Sequence, residues 1–281
     1  ATAGSNVWTN VGAGSGDVQP FVFQGSISGY MQGGNNGPSL NVIDKWSFAS
    51  DANATDVGDI TVARHWPAGQ KSSSHGYCSG GRTSGPDVDT IDKFSFSVDV
   101  NSTDVGNLTV IRAYMGGQSS STHGYTSGGS PTTNVIDKFS TSSDGNATDV
   151  GNITVARTST ASQSSVTHGY VSGGSGTPFS NVIEKFTFSA DADATDVGDL
   201  TVGRTNCSGQ SSTVHGYIVG GHPIGNSIDK FTFASDNNAT DAADLSVARG
   251  NGSGQSSTTH GYTSGGNTGT HSDIIDKFTF S

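Results

Sequence analysis

The chain has 281 residues, 41 of them glycine, with 31% hydrophobic and 13% charged residues and a formal net charge of −11. That acidity argues against a nucleic-acid partner or insertion at an anionic membrane, and no apolar run approaches the roughly 18 residues of a membrane-spanning helix. Low apolar content with abundant glycine and serine also describes a disordered tract, but the order of the residues excludes it, because one motif recurs along the chain.

The first 27 residues precede the first copy and hold one spare strand near residues 6–10, Asn6-Val-Trp-Thr-Asn10. The first copy opens at Ser28-Gly29-Tyr30. His-Gly-Tyr follows at His75, His123, His168, His215 and His260, at intervals of 47, 48, 45, 47 and 45 residues. A fixed period of this length signals an array of structural units.

Each copy reads as four short strands. The first is Gln-Ser-Ser-Ser and the second Gly-Tyr-x-x-Gly-Gly. The third is Val-Ile-Asp-Lys-Phe-x-Phe, where Val42, Asp44, Trp46 and Phe48 alternate with Ile43, Lys45 and Ser47. The fourth is Asp-Leu-Thr-Val-Ala-Arg, where Ile60, Val62 and Arg64 repeat the two-residue spacing. Glycine pairs and Asp/Asn clusters mark the junctions, and no useful stretch carries a helical stripe.

Four antiparallel strands per copy and six copies predict an all-β, six-bladed β-propeller, one domain over residues 1–281. The last copy stops at Ser281 without a fourth strand. The spare strand near residues 6–10 is expected to pair beside residues 275–280 and so close the ring. Gly33-Gly34 after Tyr30, the third-strand aromatic and the arginine after the fourth strand resemble the kelch family, in every copy.

Asp44, Asp92, Asp137, Glu184, Asp229 and Asp276 share a strand face with aromatics, where a carboxylate needs a partner. Arg64, Arg112, Arg157, Arg204 and Arg249 supply candidate forks for blade-to-blade ion pairs. The His-Gly-Tyr histidines are read as turn-capping or packing residues. Cys78 and Cys207, three copies apart, are expected to be free thiols.

The Asp-rich turn supports two readings. Asp51, Asn53, Thr55 and Asp59 set oxygens at loop positions 1, 3, 5 and 9, a spacing that suits calcium. It recurs at Asp99 and Asn101, Asp144 and Asn146, Asp191 and Asp193, and Asp236 and Asn238. Position 6 is Asp56 rather than glycine, and no glutamate closes the loop. A hairpin turn with Asx hydrogen bonds explains the same residues. Calcium is the one cofactor that the sequence suggests.

The copies differ mainly in the loops between strands two and three and in the links between copies, all expected on one face. Those segments carry His65, Trp66, Arg82, Asp87, Tyr114, Phe179 and His222. Aromatics beside charged and polar residues can stack on a sugar ring or seat in a protein partner, although loops that touch nothing also vary. The inner strands offer Gly, Gln, Ser and Thr, with no acid–base pair, no copper constellation and no sialidase Asp box, so no enzymatic activity is expected.

Blade near-identity and the Asp-Ala-Asn-Ala-Thr-Asp-Val-Gly cadence resemble kelch-repeat proteins of bacteriophages of marine cyanobacteria. That resemblance implies a virion or extracellular tail-fibre component recognising a host-surface glycan or protein, alongside other fibre subunits or further copies of itself. A purely architectural subunit is the alternative.

Overall fold

The computed structural model describes residues 25–223 and 225–281. It is all-β, with six antiparallel sheets arranged in a ring as the blades of a β-propeller. Blade 2 shows the full pattern: Ala68–Lys71 lines the centre, then His75–Arg82, Asp87–Ser95 and Thr103–Asn107 follow outward. Blades 3, 4 and 5 repeat it. Among the described residues, blade 1 has three strands, Ser28–Asn35, Ser39–Ser47 and Thr55–Asp59, and so lacks the innermost. Blade 6 also has three, Ser253–Ser256, His260–Ser264 and Ile275–Thr279, and lacks the outermost. The closing strand expected near residues 6–10 lies outside the described residues.

Two strand positions differ from the sequence expectation. The innermost strand is centred on Gly-Gln, or Ser162-Gln163 in blade 4, rather than on the serines that follow. Ser72 instead caps the turn, its hydroxyl accepting from the His75 and Ser74 amides at 3.0 and 3.3 Å. The outermost strand is Thr-Asp-Val-Gly-Asp, not Asp-Leu-Thr-Val-Ala-Arg. The chain leaves the sheet after Asp59, putting Ile60 into the core and leaving Val62 exposed. Side chains replace the lost ladder: the Thr61 amide and hydroxyl donate to Asp92 at 2.9 and 2.7 Å. The two-residue spacing at 60, 62 and 64 therefore reflects a capped coil.

The core lies between blades. Gly76 faces Phe94 across the strand pair, and a Cβ there would come within 2.2 Å of the Phe94 ring. Only glycine lets that ring lie flat over the neighbouring backbone, which is why a glycine precedes every repeat tyrosine. Each tyrosine then meets the next blade's phenylalanine: Tyr30–Phe94, Tyr77–Phe139, Tyr125–Phe186, Tyr170–Phe231 and Tyr217–Phe278, with centroids 5.2 to 5.5 Å apart. Between blades 6 and 1, Tyr262 stacks on Phe48 at 4.9 Å.

The arginines do pair between blades, as expected. Arg64–Asp92, Arg112–Asp137, Arg157–Glu184, Arg204–Asp229 and Arg249–Asp276 each join one blade to the next, at 3.0, 2.9, 2.8, 2.6 and 3.1 Å. Nearer the channel, the Gln70, Gln118, Gln163, Gln210 and Gln255 amides donate to the carbonyls of Tyr125, Tyr170, Tyr217, Tyr262 and Tyr30. The last of these bonds closes the ring. Cys78 and Cys207 are free and buried, and burial pushes the Cys207 thiol up to about 11.

Candidate functional site

Loops between second and third strands, and links from one blade to the next, emerge on the same face. A short ladder fixes their relation. His65, in the link before blade 2, exchanges backbone bonds of 2.9 and 2.8 Å with Arg82, just after the Gly80-Gly81 doublet. The same bridge joins Ala113 to Ser130, Thr205 to His222 and Gly250 to Asn267.

The next residue in each link has a left-handed backbone. Trp66, Tyr114, Ser159, Asn206 and Asn251 have φ of 57°, 59°, 58°, 56° and 57°. That region costs an L residue about 1–2 kcal/mol, and asparagine tolerates it best. Bulky Trp66 and Tyr114 are the least suited to it. The conformation persists because it completes a belt. Tyr114 N–H donates to the Trp66 carbonyl at 3.0 Å, Ser159 to Tyr114 at 2.8 Å, Asn206 to Ser159 at 3.0 Å and Asn251 to Asn206 at 2.8 Å. All five residues line the mouth of the central cavity.

On one side of the mouth the aromatics assemble. The Trp66 and Tyr114 rings stack with centroids 3.9 Å apart at 23°. The Arg82 guanidinium sits 5.8 and 5.7 Å from the two ring centres. Asp87 holds it in a fork, with Nε and Nη2 donating at 2.5 and 3.1 Å. His65 packs against Trp66 with centroids 4.1 Å apart, and its Nδ1 meets the Ser39 hydroxyl at 2.9 Å. Burial first, and the Arg82 charge second, hold His65 below its ordinary pKa, which keeps it neutral near pH 7. Hydroxyl–imidazole bonds also join sequence neighbours in the turns of the other face, at Ser74–His75, Thr122–His123, Thr167–His168 and Thr259–His260.

Five of the seven residues singled out for recognition, His65, Trp66, Arg82, Asp87 and Tyr114, thus form one cluster. Phe179 and His222 form a separate pair on the same face, rings edge to face at 5.3 Å. Ser159, Asn206 and Asn251 escaped notice in the sequence. Their signal was position: each is the second residue of its link, in register with Trp66 and Tyr114.

The Asp-rich turns lie on the opposite face, where their side chains make contacts between blades. Lys45 pairs with Asp99 at 2.8 Å, Lys93 with Asp144 at 2.5 Å and Lys185 with Asp236 at 2.6 Å; Lys138 pairs with Asp191. Lys277 reaches Asp51 at 2.5 Å from blade 6 to blade 1 and holds that carboxyl below its usual range. Asn101, Asn146, Asp193 and Asn238 accept the amides of Asp59, Asn107, Asn152 and Asp199. Thr55 bonds the Lys45 carbonyl at 3.4 Å. The first-position aspartates and the third-position Asn101, Asn146, Asp193 and Asn238 thus bond neighbouring blades, and among the described residues no three His, Cys, Asp or Glu side chains converge as a metal set. Asn53, the remaining turn ligand, is exposed in the coil before Thr55.

No protein-family model matches the chain, and no curated protein matches it. What the propeller does must therefore be read from its own surfaces.

Proposed function

We propose that the propeller is a non-enzymatic recognition module that binds a glycan on a host surface through its link-and-loop face. The observation that carries this is the Trp66–Tyr114 stack with its Arg82–Asp87 fork, built on two residues whose backbone opposes their side chains. Strain of this kind is retained where a side chain must be presented in one place, and stacked aromatics beside hydrogen-bonding groups suit the apolar face and hydroxyl rim of a sugar. The resemblance to kelch-repeat phage proteins extends the proposal to a virion or extracellular fibre, in which other fibre subunits or further copies are partners. No enzymatic activity, cofactor, nucleic-acid partner or membrane insertion forms part of this reading.

The test is binding to a printed glycan array. Tyr114→Ala and Trp66→Ala are expected to abolish the wild-type signal with the melting temperature held within a few degrees. Undiminished binding by both variants, or no wild-type signal on any glycan, would overturn the proposal.

One observation favours an architectural second reading. Val62, Val110, Val155, Val202 and Val247, at the same position of successive blades, are all exposed on this face. A repeated apolar rim suits a stacked partner of matching symmetry, and face-to-face self-association would use it. Sedimentation should then show oligomers that the Val155→Glu/Val202→Glu variant loses; a wild-type monomer at all concentrations would remove this reading.

A further inference from the structure

Resting on the glycan reading above, we infer that the site is the channel mouth itself, and that it takes the terminal residue of a neutral saccharide end-on. The belt of left-handed residues is the reason. Because every link turns at the same position, the side chains at 66, 114, 159, 206 and 251 are set around one opening rather than along one edge. Their chemistry is divided. Two adjacent positions carry the stacked Trp66 and Tyr114 rings, and the next three around the ring carry the Ser159 hydroxyl and the Asn206 and Asn251 carboxamides. A pyranose needs both: an aromatic face for its C–H surface, and groups that donate and accept for its hydroxyls.

The fold does not demand these side chains. The belt uses backbone N–H and C=O groups alone, so any residue can occupy the position at the cost of its strain. Asparagine relieves that strain and tryptophan and tyrosine do not, so the two aromatics stand out as selected for what they present.

Charge indicates a neutral ligand. The cation nearest the aromatics, Arg82, is committed to Asp87 through two hydrogen bonds, and His65 is held neutral. Lys71 lies three residues further along the Ala68–Lys71 strand, about 10 Å deeper at 3.3 Å per residue. Loop-to-loop binding across the face would instead draw on Phe179 and His222.

The experiment uses the whole chain on neutral hexose and N-acetylhexosamine oligosaccharides, each printed with a free non-reducing end and with that end capped by a bulky group. Asn206→Gly/Asn251→Gly removes both carboxamides while glycine keeps φ near +57°, so folding is preserved, and circular-dichroism melting verifies this. Wild-type protein should bind free ends at least tenfold more tightly than capped ones, and the double variant should lose at least tenfold on free ends. Equal binding of free and capped chains, or an unaffected double variant, overturns end-on capture. If Tyr114→Ala still abolishes that binding, the broader glycan reading survives. Absence of wild-type binding to any glycan sinks both.

Discussion

Among the described residues, five junctions between successive blades carry an arginine–carboxylate pair, and the sixth, where blade 6 meets blade 1, does not. No lysine or arginine precedes Lys45 in the sequence, so Asp44 has no arginine from a preceding copy to match. Asp92, Asp137, Glu184 and Asp229 are sealed from solvent with their guanidiniums, whereas Asp44 remains half-buried. Burial, and then the neighbouring Asp56, push the Asp44 carboxyl above its ordinary value. The ring is thus held by charge at five junctions. At the seam it is held by the Tyr262–Phe48 stack, the Gln255–Tyr30 bond and the exposed Lys277–Asp51 pair. The same fold position can be stabilised by a desolvated ion pair or do without one.

The comparison breaks first at the buried pairs. Asp137→Ala strands Arg112 without its carboxylate and is expected to cost about 3–5 kcal/mol in denaturant unfolding. Asp44→Ala should cost far less; equal losses at the two sites would erase the distinction. A smaller effect sharpens it. Lys93→Ala removes an exposed pair with Asp144, worth up to about 1 kcal/mol and diminishing with salt. Lys230, whose amine meets the Ser281 hydroxyl at 3.0 Å and acts on His215 rather than on an aspartate, should show a weaker salt dependence when replaced by alanine.

The smallest effect is one of sign. With its folded pKa raised, Asp44 contributes most when protonated, below its unfolded value, and that contribution is lost as pH rises through the folded value. Asp44→Asn cannot ionise and should remove this slope, matching or exceeding wild-type stability near pH 7. A variant that fell below wild-type stability as pH rose past the ordinary carboxylate range would contradict the raised pKa.

The repeat was legible because each copy restates the same cross-blade geometry: the glycine under Phe94, the tyrosine meeting the next blade, the arginine reaching Asp92. What misled was spacing without context. Ile60, Val62 and Arg64 alternate as a strand does, yet the segment is held by the Asp92 carboxylate of the next blade, through the Thr61 amide and the Arg64 guanidinium, contacts 28 to 31 residues away that local periodicity cannot register. The aromatic cluster was visible as composition in the links. The left-handed turn that gathers it was not, because no glycine marks the position and the bonds that require it come from another blade's backbone. The seam's missing arginine was open to simple counting.

The cross-blade contacts described here run from one unit to its successor: lysine to the following aspartate at five junctions, arginine to the following carboxylate at five, and tyrosine to the following phenylalanine at all six. Such head-to-tail contacts are indifferent to how many units there are; they propagate until the accumulated rotation returns to its start. The chemistry between neighbours would serve a five- or seven-membered circle equally well, so the count of six resides in the angle each packed sheet imposes on the next. Duplication or loss of a repeat would therefore leave every pairwise contact intact and be judged solely by whether the circle still shuts.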